Sequence, residues 1–208
     1  MSNQNALIGW QPTEFHSSGR HSDENLIKAI AKGSQAAMRT LYGRHHIRVY
    51  RFIVRLVSDT GCAEDLISEV FLSVWRQAST FENRSRVSTW ILSIARFKAL
   101  TALGRHRDGQ LDEAASQMIA DSAETPEQTV LHTDRDAQLR SCIAQMSREH
   151  REVIDLVYYH EKSVEEIAEI IQLPKNTVKT RTFYARKRLA RLLSTHRDFD
   201  HLVTARAA

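Results

Sequence analysis

The stretch 162–193, KSVEEIAEIIQLPKNTVKTRTFYARKRLARLL, restricts the fold of this chain more than any other. Ser163 and Glu166 have the spacing of a capping box, in which hydroxyl and carboxylate satisfy the orphan N–H groups of a helix start. Val164, Ile167, Ala168 and Ile171 follow at helical spacing, which predicts a short helix with one apolar face. Pro174 ends it, because the ring removes a donor and biases the preceding residue away from helix. Asn176 or Thr177 is placed to cap a second helix with Val178, Ala185, Leu189 and Leu192 near one face. Lys175, Lys179, Arg181, Arg186, Lys187, Arg188, Arg191 and Arg197 then follow with no Asp or Glu among them. A short capped helix, a tight turn and a longer cationic helix are the pattern of a DNA-reading helix-turn-helix.

The remaining sequence decides what such a reader is attached to. A length of 208 residues suits one or two small domains, and 42% hydrophobic content excludes wholesale disorder. No apolar run approaches the ~18 residues that span a bilayer, so no membrane insertion is expected. No export signal is visible, and the two cysteines, Cys62 and Cys142, sit in apolar helical patterns. Both are expected to be buried free thiols, which fits a reducing cytoplasm. The formal charge of +4 is modest, so its distribution carries more information than its size.

Residues 1–21 mix polar residues with Trp10 and Phe15 and are expected to form a mobile tail, the aromatics being available for docking. Ser22 and Ser34 are placed to cap two helices, the second carrying Leu41, Tyr42, Val49, Phe52, Ile53 and Leu56. Ser58, Asp59, Thr60 and Gly61 read as a turn. In 62–77, Cys62, Ala63, Leu66, Ile67, Val70, Phe71, Val74 and Trp75 recur as a wide buried stripe, with Glu64, Asp65, Ser68, Glu69 and Arg76 outside it. A solvated face accounts for those polar residues on its own terms. A polar loop follows at 81–86, with Ser85 or Ser88 as the cap of the next helix. There Trp90, Ile91, Ile94, Ala95, Ala99, Leu100 and Leu103 alternate with Arg86, Arg96, Lys98, Arg105 and Arg107. A second cationic helix in one chain strengthens the nucleic-acid reading.

From 108 to 134 there is no Lys or Arg, and Asp108, Asp112, Glu113, Asp121, Glu124, Glu127 and Asp134 make the segment acidic. Leu111, Met118 and Ile119 allow a brief helical turn, and Pro126 suits the first turn of a helix running toward Met146. Ser147 caps the next helix, in which Val153, Ile154, Leu156, Val157 and Tyr158 supply apolar surface. With no strand-period segment or Asn-Gly hairpin signal, the fold class is all-α. Two small helical domains, at 22–107 and 126–196, are joined by an acidic linker at 108–125, with tails at 1–21 and 197–208.

Catalytic and metal-binding chemistry is not indicated. His45 and His46 are adjacent, so on a helix their side chains diverge. No H-E-x-x-H, paired C-x-x-C or P-loop pattern occurs among the ten histidines, two cysteines and seven glycines. The expectation is a binding protein, not an enzyme, with no metal site and no cofactor.

Two separated motifs carry a family resemblance. Tyr50-Arg51-Phe52, the run from Ala63 through Glu64, Asp65, Glu69 and Trp75 to Arg76, and Thr89-Trp90-Ile91 through Ile94-Ala95-Arg96 resemble region 2 of bacterial sigma factors of the extracytoplasmic-function group. Glu152-Val153-Ile154, Ser163 to Ile171, Thr177 to Arg181 and Ala185-Arg186 resemble region 4 of the same group. The two occur in the family's order across about 26–193, with a linker where the family has one.

This resemblance implies a promoter-specificity subunit whose partners are core RNA polymerase, promoter DNA and commonly a sequestering anti-sigma factor, often in a stress response. Glu64, Asp65, Glu69, Trp75 and Arg76 then match the surface that engages the polymerase. Phe81, Asn83, Arg84, Arg86, Trp90, Arg96 and Lys98 fall where the −10 element is melted and read, with Trp90 equally suited to the core. Lys175, Asn176, Lys179 and Arg181 fall toward the base-facing part of the −35 reader and Arg186, Lys187 and Arg188 toward phosphates, with Thr177, Thr180 and Tyr184 in the same reader. The acidic linker is placed either to thread the polymerase toward the RNA exit path or to serve as a solubilising spacer. Gln172 stands where the family usually has a Gly, Asn176 where another is frequent, and Phe97 and Thr101 replace a common Asn and Asp. The alternatives are a helix-turn-helix regulator that binds DNA without polymerase, for which no sensor domain is visible, and an adaptor working through protein contact alone.

Overall fold

Short polar side chains write most of the helix starts. The computed structural model describes residues 22–109 and 133–206, and within them the backbone forms eight α-helices and no strand. The helices are α1 (Asp23–Ala31), α2 (Gln35–Val57), α3 (Thr60–Gln77), α4 (Val87–Gly109), α5 (Thr133–Ala144), α6 (Arg148–Tyr158), α7 (Val164–Ile171) and α8 (Lys175–Arg206). A single 3₁₀ turn, Ala78–Thr80, follows α3. Ser22, Ser34, Asp59 and Ser147 each accept a backbone N–H three residues on, and Ser163 with Glu166 forms the full capping box.

Four starts or ends depart from the sequence expectation. α3 begins at Thr60, two residues early, because the Asp59 carboxylate caps it and Ser58 alone turns the chain in αL at φ 56°. α4 begins at Val87, so neither Ser85 nor Ser88 caps it; Ser88 lies inside the first turn and its hydroxyl accepts from Lys162. α8 begins at Lys175, placing Asn176 and Thr177 inside its first turn, where the Pro174 carbonyl accepts from the Val178 N–H. The same helix continues past His196 to Arg206. Trp10, Phe15, Pro126 and the helical turn expected around Leu111, Met118 and Ile119 lie outside the described residues.

α1 to α4 pack around Leu41, Phe52, Ile53, Val70, Val74 and Ile91, all essentially without solvent contact. Each such side chain contributes about 1.5–3 kcal/mol by leaving water. α5 to α8 pack around Leu156, Ile167, Ile170, Val178 and Ala185. Cys142 is buried and Cys62 only half so. Tyr158 departs from its expected core role: it stands at the end of α6 at 61% exposure, with the Arg186 guanidinium 5.5 Å over its ring.

The two helical groups are also packed on one another, α7 against α4 and α6 against α2. The two groups share a polar seam. Arg96 donates to Glu152 at 2.6 Å, Thr89 to Glu166 at 2.7 Å, and Lys162 to Ser88 at 2.7 Å and to Thr89 at 3.1 Å. Arg55 pairs with Asp155, and Arg51 donates to the Tyr159 hydroxyl at 2.7 Å. Stripping one member from a buried ion pair typically costs ~3–5 kcal/mol, because the other is left uncompensated.

Candidate nucleic-acid interface

Along α8, buried positions recur at alternating steps of four and three. Val178, Thr182, Ala185 and Leu192 face the domain, with Leu189 half-buried between the last two. That periodicity turns Lys175, Asn176, Thr177, Lys179 and Thr180 into solvent, with Arg181 half-buried at the edge. Further along, Tyr184, Arg186, Lys187 and Arg188 are exposed as well. The helix is aimed by the turn before it, in which Gln172 adopts αL at φ 55° and its Nε2 donates to the Glu169 carbonyl. A non-glycine residue takes that conformation at a cost of about 1 kcal/mol.

Two neighbours of this surface were not foreseen. His150, at the start of α6, lines an open groove with Asn176, Thr177, Thr180 and Arg181. Phe183 is 61% exposed, and its ring lies 5.4 Å from that of Tyr184. His150 carries no signal of its own in the sequence, since only the fold brings α6 beside the start of α8. Phe183 could have been found by the mismatch between an aromatic residue and an outward helical position.

A second surface lies at the start of α4. Phe81 and Trp90, both half-buried, stack at 4.7 Å with a 35° tilt, so Trp90 is partly core and partly platform. Between them Asn83 sits at φ 54°, and Asn83, Arg84 and Arg86 are exposed. Arg84 pairs with Glu82 at 2.5 Å, both largely in solvent, so the tie is weak. Two of the cations farther along α4 are engaged: Arg96 with Glu152, and Lys98 with Glu69 at 2.9 Å. The structure therefore brings Phe81, Asn83, Arg84, Arg86 and Trp90 together and holds Arg96 and Lys98 in ion pairs.

On α3, Glu64, Asp65, Glu69 and Arg76 are exposed and Trp75 is half-buried against the core. Leu72, at 48% exposure, stands among them and was missed, although its place outside the apolar stripe is legible. The Lys98 ammonium holds the Glu69 carboxyl below the usual range. At the seam, burial opposes charge on Glu166, but the Ser163 N–H, the Thr89 hydroxyl and Lys162 together hold its carboxyl at about 2. Burial pulls the Lys162 ammonium down, and Glu166 works against that pull. Among the described residues, no group of His, Cys, Asp or Glu is arranged to hold a metal, and no helix is long and apolar enough to cross a membrane. His45 turns to Asp23 and His46 to the Tyr42 carbonyl.

Residues 41–108 match the family model for Sigma-70 region 2, and residues 136–189 that for Sigma-70, region 4, together more than half of the chain. The ECF RNA polymerase sigma factor SigL of Mycobacterium tuberculosis is 29% identical over 160 residues, covering 76% of this chain and 90% of that protein. This chain is a sigma factor of the extracytoplasmic-function group.

The RNA polymerase sigma-H factor of Pseudomonas aeruginosa is also 29% identical, over 183 residues and 95% of its length. Among solved structures, CnrH in complex with the cytosolic domain of CnrY matches the fold of this sigma factor with a TM-score of 0.61 at 21% identity, over 83% of this chain and 97% of that one. RpoE of Bartonella quintana, in complex with the anti-sigma factor NepR, matches with a TM-score of 0.52 at 25% identity, over 71% of this chain and 90% of that one. The sigma factor binds core RNA polymerase and directs promoter-specific initiation, region 2 melting and reading the −10 element and region 4 the −35 element. Its possession of region 2 disfavours a regulator that works without polymerase.

Proposed function

We propose that the outward row of α8 is the −35 reader, with Lys175, Asn176, Thr177, Lys179, Thr180 and Arg181 near the bases and Tyr184, Arg186, Lys187 and Arg188 on the backbone. The observation that carries this reading is the exposure of that row while Val178, Thr182 and Ala185 anchor the opposite face. On region 2, the tilted Phe81–Trp90 pair offers a face for an unstacked base. Asn83 is placed for a base edge, and Arg84, Arg86, Arg96 and Lys98 for the strand's phosphates. The exposed row of α3, Glu64, Asp65, Glu69 and Arg76 with Trp75 behind it, is the face assigned to core polymerase, and Leu72 adds an apolar contact to it.

The domain limits that go with this assignment are 22–107 and 126–196, joined through an acidic linker at 108–125. The protein acts by binding, with no catalytic chemistry of its own, in the cytoplasm where polymerase works. Two structural neighbours were solved with the cytosolic domain of CnrY and with the anti-sigma factor NepR. An anti-sigma factor is accordingly a partner of this protein too.

Transcription by added core polymerase tests the α8 assignment. Lys179→Ala and Arg181→Ala should weaken promoter-specific initiation, and a residue that reads a base should cost about 1–3 kcal/mol in a sequence-dependent way. Equal loss on every −35 sequence would move that residue to the phosphate set. No loss for either would refute the reading.

A further inference from the structure

Ile91, Leu92, Ala95 and Ala99 turn one face of α4 into the core, so the opposite face looks into solvent. Helical spacing puts Trp90, Ile94, Phe97 and Thr101 on that outer face. Trp90, Ile94 and Thr101 are half-buried. Phe97 stands 72% exposed, more than any other large hydrophobic side chain among the described residues. Single exposed apolar side chains are ordinary on a protein surface. This one is not single: the tilted Phe81–Trp90 pair begins a strip, Ile94 continues it and Phe97 extends it along the helix. Cations border the strip. Lys98 lies on the α3 side against Glu69, and the charge of Arg105, about two turns on, acts on the same carboxylate. From Asn83 to Arg107 the sequence has no Asp or Glu. Ring faces in a cationic border are what a single nucleic-acid strand needs, for its bases and its phosphates respectively.

We propose that Phe97 is a second stacking platform for the −10 strand, beyond the one formed by Phe81 and Trp90. The inference rests on the assignment of that first pair to the −10 strand. From Trp90 to Phe97 the helix advances about 10 Å, the length of about three stacked base steps of about 3.4 Å. The two platforms therefore take bases about three nucleotides apart. A base can lay its face on Phe97 only after leaving its partner strand, so the ring favours the melted strand over the duplex. The side chain also sets what is read at that point. The Asn that the family commonly has here would choose a base by its edge, whereas a phenyl ring accepts the π-face of any base. Phe97 thus stabilises strand separation and relaxes selectivity at one position.

The test uses holoenzyme assembled from the full chain and core polymerase. Its readout is the anisotropy of a labelled single strand carrying the −10 element of a promoter mapped with that holoenzyme. Phe97→Ala, an exposed change that leaves the core untouched, should weaken strand binding about tenfold. Phe97→Trp should restore it, and a closed duplex should bind all three proteins alike. Abasic residues placed in turn along the strand locate the contact. At one position the abasic loss seen with the parent should vanish in Phe97→Ala, about three nucleotides from the position that couples in this way to Phe81→Ala. All four bases at the Phe97 position should bind within about threefold of one another, and a stronger preference overturns sequence-tolerant stacking. Strand binding unchanged by Phe97→Ala, while Phe81→Ala and Arg86→Ala still weaken it, overturns the proposal and leaves the −10 assignment standing. Equal losses on strand and duplex overturn stacking in favour of a groove contact. Indifference to Phe81→Ala and Arg86→Ala as well removes the −10 assignment, and the second platform with it.

Discussion

His160 gives the sharpest dependence of this fold on solution conditions. Its side chain is 2% exposed, edge-on to Phe52 at 5.4 Å, with Nε2 3.3 Å from Asp155 Oδ2 but without hydrogen-bond alignment. Burial first, then the charges of Arg55, Lys162 and Arg48, push its pKa from 6.5 down to about 3. Asp155 and Lys162 approach it from its own domain, Arg48 and Arg55 from α2. Because the folded value lies below the unfolded one, the unfolded chain binds more protons between them. Stability is therefore full above about pH 6.5 and falls as the pH drops toward 3. At about pH 5 the ring must resist protonation over about 1.5 pH units, at about 1.4 kcal/mol each, a loss of about 2 kcal/mol. With a urea slope of about 2 kcal/mol per molar, the midpoint should fall by about 1 M between about pH 7.5 and about pH 5. Far-UV circular dichroism of urea-unfolded protein measures it, with His160→Gln as the reference that keeps a neutral polar side chain. His160→Gln should lose correspondingly less. Parallel midpoints for the parent and the variant across that range would show that His160 is not held neutral, and the reasoning would fail.

The αL turn before α8 makes a ranked prediction: Gln172→Gly should be more stable than Gln172→Ala by about 1 kcal/mol, since only Gly meets φ 55° without cost. Urea midpoints in the reverse order would refute an αL turn. Ser163→Ala, which breaks the capping box, should cost about 1 kcal/mol by the same measurement. No loss would mean that water serves the first N–H groups of α7 equally well.

How much of this was legible beforehand follows from the range of the interactions. Ser22, Ser34, Ser147 and the Ser163–Glu166 box act over three residues, and sequence spacing revealed each of them. The stripe from Ala63 to Val74 is equally local, because a helical period fixes which side chains share a face. The starts of α4 and α8 were misplaced because Ser88, Asn176 and Thr177 have cap chemistry yet lie inside first turns. The seam was not legible at all. Arg96 and Glu152 are 56 residues apart and Lys162 and Ser88 are 74, and nothing in either residue's neighbours names the other. Glu152 stands in the sequence only as part of the Glu152-Val153-Ile154 motif, and the tertiary contact with Arg96 explains its burial.

The Lys98–Glu69 bridge joins one residue assigned to the −10 strand and one assigned to core polymerase. A single charge pair thus belongs to two binding faces on opposite partners. A phosphate that claims Lys98 leaves Glu69 unpaired, and a polymerase cation that claims Glu69 sets Lys98 free. By linkage, whatever one event gains from the release, the other gains equally. A bridge this exposed is worth at most about 1 kcal/mol, so the coupling is about fivefold at most. Promoter strand and polymerase would be bound cooperatively through α3 and α4 without any movement of either helix.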